Sequence, residues 1–446
     1  MPGAWIFSAA FVLVYIYIST AGRLRGPAVW CAAALASAAC AIAGDSPDLA
    51  ALMGRVDVNI LLIFSGIMLL AEVLIETRAP AWAAERIVSV SGTLGRASLL
   101  ICVLAGAVSM FVENVATVMI LAPVALALSR RLEADPVPLL IGIAISSNLQ
   151  GTATLVGDPP SMILAASEGL SFNDFFVLDG MPGIFFAVQC GAVASFFVLW
   201  RVFGRSRRAV AWSGASEVSS WVPVVILALV VAGLALTGFK GSSGPVSGLI
   251  CAAGGLAALT WHTLSHRGVL PGIFRARKAT DLEEVRGSRQ IVRGFDLDTV
   301  ILLAGIFFMV GALEEYGVVD AIGRFIAGLS GGSAFGAFAL IVISSVVVSA
   351  FVDNVPFVTA MLPVVHSVAS DLGIADWRFL SFGMLIGACL GGNISPVGAS
   401  ANIVAVSMLR KEGYRVSFGR FAALGLPFTL AATAAGAAFI WFVWGP

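Results

Sequence analysis

Apolar residues run for spanning length near residues 5–21, 27–43, 58–75, 183–203, 221–238, 245–261, 299–317 and 421–443, close to the roughly 20 residues a helix needs to cross a bilayer core. These eight stretches predict transmembrane helices. Two further regions, 97–165 and 333–408, are apolar but interrupted by Asn, Thr, Ser, Gly, Pro and acidic residues. Such groups are costly against lipid and are tolerated where irregular backbone lines a cavity. In the first region, two arms flank Glu113-Asn114, each too short to cross comfortably if that polar pair turns at mid-depth, so a re-entrant hairpin is predicted over 97–128. Residues 137–166 are then long enough to cross once, as a broken helix unwound over 148–160, because Gly151, Gly157, Pro159 and Pro160 do not sustain a regular helix. The second region repeats the plan, with a hairpin over 333–366 around Asp353-Asn354 and a broken helix over 379–408.

The two halves also match residue by residue. Phe111-Val112-Glu113-Asn114-Val115 falls on Phe351-Val352-Asp353-Asn354-Val355, and Pro123 on Pro363. Upstream, Asp57 and Ile60-Leu61-Leu62 are paired with Asp298 and Ile301-Leu302-Leu303; downstream, Gly151 and Val156-Gly157 are paired with Gly392 and Val397-Gly398. Repetition over this length marks a duplication. An odd number of crossings separates the copies, so they lie inverted, the arrangement that lets one central site face either side in turn. The expected fold is an all-α polytopic membrane protein of about ten crossings plus two re-entrant hairpins. It divides into N-terminal helices (1–56), a first repeat (57–261), a cytoplasmic linker (262–296) and a second repeat (297–446).

Composition narrows the class. The chain is 59% hydrophobic and 12% charged, with a mean hydropathy of +0.98, which no ordinary soluble domain approaches. Formal net charge is zero and gives no reason to expect nucleic acid. The position of the basic residues is informative: with both termini outside, only Arg55, Lys240, Arg324 and Arg378 of the 26 Lys and Arg fall outside, as the positive-inside rule requires. The expected location is a cytoplasmic (inner) membrane. No basic region and cleavage site open the chain, so residues 5–21 are expected to remain as a span. Six cysteines stand singly in apolar stretches and read as small buried hydrophobes, including Cys389 beside the second broken segment. With three histidines, two of them in the linker, neither a nucleophile and base pairing nor a metal motif is visible. That excludes an enzyme and calls for no cofactor beyond a coupling ion, H+ or Na+.

Candidate chemistry concentrates at the hairpin tips and unwound segments, where unpaired backbone groups can replace the hydration of a solute. The first half supplies Asn114, Thr117, Asn148, Thr152 and Thr154, and the second Asn354, Thr359, Asn393, Ser395, Ser400 and Asn402, all neutral hydrogen-bonding groups suited to substrate. Glu113, Asp158 and Asp353 are the candidates for proton or ion coupling, since a carboxylate at membrane depth is by default a functional site. Asp158 stands out because Ala399 occupies its place in the second half. Each also has a local reading: Asn114 and Asn354 suit helix caps, and Asp158 suits the start of a half-helix at Pro159. Asp57 and Asp298 read as interfacial caps. Neither broken segment contains Lys or Arg, which argues for a neutral or weakly charged substrate.

Ser147-Asn148-Leu149-Gln150-Gly151-Thr152-Ala153-Thr154-Leu155-Val156-Gly157-Asp158-Pro159-Pro160, Phe351-Val352-Asp353-Asn354-Val355-Pro356-Phe357, and the segment from Gly387 through Cys389 and Asn393 to Asn402 resemble the ion transporter superfamily, in the clade joining the ArsB arsenical permeases and the melanosomal P protein. The resemblance covers the whole chain. It implies a scaffold domain and a moving transport domain, often in a homodimer, with a soluble ATPase subunit as a further partner to test for. It also implies substrate contacts from Asn114, Thr117, Asn354, Asn393 and Asn402, and proton handling by Glu113, Asp158 or Asp353. The function expected on this basis is proton-coupled efflux of arsenite or antimonite, small inorganic substrates of which arsenite is a neutral trihydroxide at neutral pH. The alternatives are a sodium/proton antiporter or an ion-coupled anion carrier.

Overall fold

A computed structural model describes residues 2–21, 24–210, 217–239, 246–267, 269 and 287–446; Lys240 and most of the expected linker, 268 and 270–286, lie outside the described residues. Among the described residues the regular elements are helices apart from a two-stranded hairpin pairing Val177–Leu178 with Met181–Pro182. By length and composition, seven helices among the described residues can cross a membrane: Arg25–Ile42, Leu49–Glu76, Asn114–Arg131, Ile184–Phe203, Val246–His266, Leu297–Glu315 and Phe418–Trp444. Pro2–Ile18 and Val222–Gly238 are shorter apolar helices. Large apolar side chains such as Leu35, Ile42, Leu229, Leu236 and Phe442 stay exposed, the inverse of a soluble surface and the face a bilayer covers.

Both broken regions take the form the pattern predicts. The first hairpin is Leu94–Ser109 and Asn114–Arg131; the second is Ala334–Ser349 and Asn354–Asp371. Their first arms start alike, because Thr93 accepts from the Arg96 amide (3.4 Å) and Ser333 from the Gly336 amide (3.2 Å), satisfying donors a helix start leaves unpaired. The broken helices are Val137–Gly151 with Pro159–Ser167, and Arg378–Gly391 with Ser400–Lys411. Two helices that the hydropathy pattern does not announce, Ala79–Ser91 and Val318–Leu329, precede the hairpins at equivalent places, and the second turns by 117° into its hairpin arm.

Packing obeys the repeat. Arg25–Ile42 packs on Leu297–Glu315, and Val246–His266 on Val58–Glu76, so the two pairs are equivalent to each other. The approach is close: a Cβ on Gly66 would lie 2.2 Å from the Cys251 carbonyl oxygen, a separation only glycine permits. The second half-helix of each broken helix packs on the opposite repeat, Pro159–Ser167 against Asn354–Asp371 and Ser400–Lys411 against Asn114–Arg131. The register upstream differs from the sequence match. Asp57 and Asp296 are the equivalent helix caps, accepting from the Ile60 amide (3.1 Å) and the Thr299 amide (3.0 Å), so the Ile-Leu-Leu match is two residues out of register. Asp298 does cap a helix, but a different one: it accepts from the Arg25 and Gly26 amides at 3.1 and 3.0 Å, as Asn59 accepts from the Gly248 amide at 2.8 Å.

Candidate functional site

Four helices begin at one place. Asn114–Arg131, Pro159–Ser167, Asn354–Asp371 and Ser400–Lys411 all present their first turns to a cavity of about 260 Å³, facing Phe64, Met68, Ala71 and Glu72 of one long helix and Thr299 and Leu302 of another. Helix N-termini carry unpaired amides and the positive end of the macrodipole, so their convergence makes a setting for negative charge. Three of the four starts carry an acidic N-cap residue, Glu113, Asp158 and Asp353; the fourth has Ala399. The cavity runs on to Gly294 and Asp296, at the end of the linker.

Of the predicted residues, Asn114, Asn148, Asn354, Ser400, Glu113, Asp158 and Asp353 line this cavity. They are tied across the repeats: the Asn354 amide donates to Asp158 (3.4 Å), and the Asn148 amide donates to the side-chain oxygens of Asn393 (2.8 Å) and Asn402 (3.1 Å). The remaining predicted residues sit behind the wall, occupied with backbone groups. Asn402 donates to the Gly392 and Ser395 carbonyls (2.9 and 3.0 Å), Asn393 donates to the Ile145 carbonyl (3.3 Å), and Ser395 accepts from the Val397 and Gly398 amides. Thr117, Thr152, Thr154 and Thr359 donate to the Val112, Asn148, Met110 and Val355 carbonyls. These bonds satisfy groups that would be costly unpaired at this depth.

Four cavity or supporting residues escaped the sequence reading. Ser109 donates to the Asn114 side chain (2.5 Å) and lies 2.9 Å from the Ser147 hydroxyl, pinning the first hairpin tip to its broken helix. Glu72 was legible as a lone carboxylate inside an apolar span. Asp296 and Arg25 read as loop charges, yet both line the cavity, and the Arg25 guanidinium lies 3.4 Å from Asp353 Oδ2. The cation absent from the broken segments is thus delivered by a neighbouring helix. The wall carries five carboxylates (Glu72, Glu113, Asp158, Asp296, Asp353) and, among the described residues, one cationic side chain. Among those residues no group of three or more His, Cys, Asp or Glu is arranged to hold a metal.

A second cavity, also about 260 Å³, repeats the long-helix side of the first: Asp57 stands for Asp296, Ile63 for Leu302 and Ser247 for Arg25. Its other wall is apolar, from Leu155, Met162, Ala165 and Leu170, and no hairpin-tip residue reaches it. In this conformation the tips belong to the first cavity alone.

Inverted repeats, paired hairpins and a polar cavity where four half-helices meet define a secondary active transporter of a small solute. The chain belongs to the citrate transporter family CitMHS, whose model matches residues 15–273 and 279–445. It is 30% identical over 402 residues to an uncharacterized transporter of Mycobacterium tuberculosis, covering 86% of each chain. It is 25% identical over 508 residues to the P protein of Mus musculus, covering 98% of this chain and 60% of that protein. Its fold is similar to that of the YdaH transporter of Alcanivorax borkumensis, with a TM-score of 0.57, 14% identity and coverage of 89% and 88%. Membership of a transporter family bears out the exclusion of an enzyme.

The family corrects the expected assignment. The chain is not of the ArsB arsenical permease clade, and arsenite or antimonite efflux and arsenical resistance fall with it, while the likeness to the P protein stands. The physical reason is visible in the cavity. Most of the neutral Asn, Thr and Ser groups that suggested a neutral trihydroxide hold backbone, whereas charged groups and helix N-termini form much of the wall.

Proposed function

We propose that this protein is a cation-coupled carrier of small carboxylate anions of the citrate class, working by alternating access. The observation that carries the reading is the cavity itself, in which four helix N-termini and Arg25 favour an anion while five carboxylates oppose one. Two unit charges 4 Å apart near a protein surface interact by about 4 kcal/mol, so a polyanion beside several ionised carboxylates is strongly disfavoured. Protons or other cations on those carboxylates remove the repulsion, and coupling to a cation follows from electrostatics. Asn114, Asn148, Asn354 and Ser400 are assigned to substrate, and Glu113, Asp158 and Asp353 to the coupling cation. Thr117, Thr152, Thr154, Thr359, Asn393, Ser395 and Asn402 support them from behind. The surplus of carboxylates favours a second reading, sodium/proton antiport, in which the cavity takes cations alone.

We further place the protein in a cytoplasmic membrane, with the linker on the cytoplasmic side, both termini outside and a homodimer as the working unit; a docking ATPase is not required by this scheme. Counterflow of labelled citrate in proteoliposomes tests the central reading, with tartrate and sulfate as competitors. Saturable citrate counterflow supports the carrier. Sodium-dependent proton movement without any citrate counterflow would replace it by the antiporter.

A further inference from the structure

The two oxygens of Asp353 have different occupations. Oδ1 accepts from the Val355 amide (3.1 Å) and caps its own helix, while Oδ2 lies 3.4 Å from Arg25 and accepts from the Ser400 hydroxyl at 3.5 Å. Both partners of Oδ2 line the cavity, and both contacts are long for charged or hydroxyl hydrogen bonds. The pair is partly hydrated, with side chains 21% and 17% exposed, so exchanging one carboxylate for another at Arg25 carries little of the penalty attached to breaking a fully buried pair. Resting on the carrier reading above, we infer that Asp353 Oδ2 holds the place of a substrate carboxylate, which displaces it from Arg25 and Ser400, and that Asp353 then takes up a proton.

The charge balance explains why the proton follows. With Arg25 engaged by substrate, Asp353 still faces Glu113 and Asp158 from the first half, Glu72 and Asp296 from the long helices, and Tyr15. An ionised Asp353 would then have lost its cation while gaining a further negative neighbour. One proton from the aqueous side bonds to Oδ2 and removes that charge; no other bond forms or breaks, and the proton leaves when Asp353 regains Arg25. One of the coupled protons is thereby tied to the anion at this side chain.

The swap is confined to one half. By the equivalence of Asp298 with Asn59, the residue matching Arg25 is Ser247, and the residue matching Asp353 is Glu113. The first half therefore offers no arginine for Glu113 to release. Arg25 then sets the requirement for an anion, and Asp353 contributes to the proton count.

Citrate uptake and proton uptake measured together in proteoliposomes carrying an entrapped pH dye test this, with Arg25→Gln, Arg25→Lys and Asp353→Asn as variants. Arg25→Gln is expected to raise KM for citrate by about tenfold or more, as loss of a charge-assisted contact implies, and Arg25→Lys to recover part of it. Asp353→Asn, which no longer competes for Arg25, is expected to lower KM and to carry one proton fewer per citrate than the wild type. Unchanged KM in Arg25→Gln overturns the assignment of Arg25. Should that variant fail to fold, an unchanged proton count in Asp353→Asn overturns the swap by itself. Wild-type vesicles that move no citrate sink the carrier reading, a failure seen before any variant is made.

Discussion

Asp158 and Asn148 divide the work of the cavity at the scale of single residues. Asp158 starts a half-helix, as its place before Pro159 suggests, yet its side chain makes no capping bond there and instead accepts from Asn354 of the other repeat. A cap freed from its own helix is available to a cation. Asp158→Asn is expected to abolish cation-driven citrate accumulation while citrate binding persists, read by comparing gradient-driven uptake with equilibrium binding; accumulation at the wild-type level would remove Asp158 from coupling. Asn148 has a structural part besides the substrate contact proposed for it, since its buried amide holds Asn393 and Asn402 together. Removing one partner from buried polar groups costs about 1–3 kcal/mol for each group left unpaired. Asn148→Ala is therefore expected to lower the unfolding temperature in detergent, and an unchanged temperature would show that the cluster repacks. The sequence announced these residues through their motif. It could not announce Arg25, which is distant in the chain and reads as an ordinary cytoplasmic charge until the fold brings it 3.4 Å from Asp353.

At the scale of elements, the hairpins and broken helices were legible because Pro, Gly and paired polar residues interrupt apolar runs at equivalent places in both halves. The two helices ahead of the hairpins were not, because their apolar residues are spread over one face and give no continuous run. The hairpin tips depend on close fits that composition does not reveal. A Cβ on Gly151 would lie 2.4 Å from the Asn114 side-chain oxygen, so Gly151→Ala must shift the Asn114 side chain, which Ser109 holds at the first tip. Transport is expected to fall at least about tenfold, a barrier change of roughly 1.4 kcal/mol, with helix content by circular dichroism unchanged. Wild-type transport in that variant would mean that the tip is not held where the substrate binds.

Across the whole molecule, the two cavities express one conformation of a two-sided device. One joins the linker end to the hairpin tips, while its counterpart stops at an apolar wall. Exchanging the conformations of inverted repeats exchanges these roles. In a background with the six cysteines replaced by serine, Thr299→Cys and Ile63→Cys report on the two sides through a hydrophilic thiol reagent. Substrate is expected to change their labelling rates in opposite directions; parallel changes would speak against alternation. The inverted plan was readable from the repeat, whereas the side on which the cavity meets the tips belongs to a conformation and has no signature in the sequence.

The central claim is that an anion enters this acidic cavity only with cations. The most direct test is the simultaneous record of labelled citrate uptake and internal pH in proteoliposomes held free of sodium. Saturable citrate uptake accompanied by internal acidification, accelerated by an inward proton gradient, is the predicted result. Citrate uptake indifferent to every imposed cation gradient would contradict it.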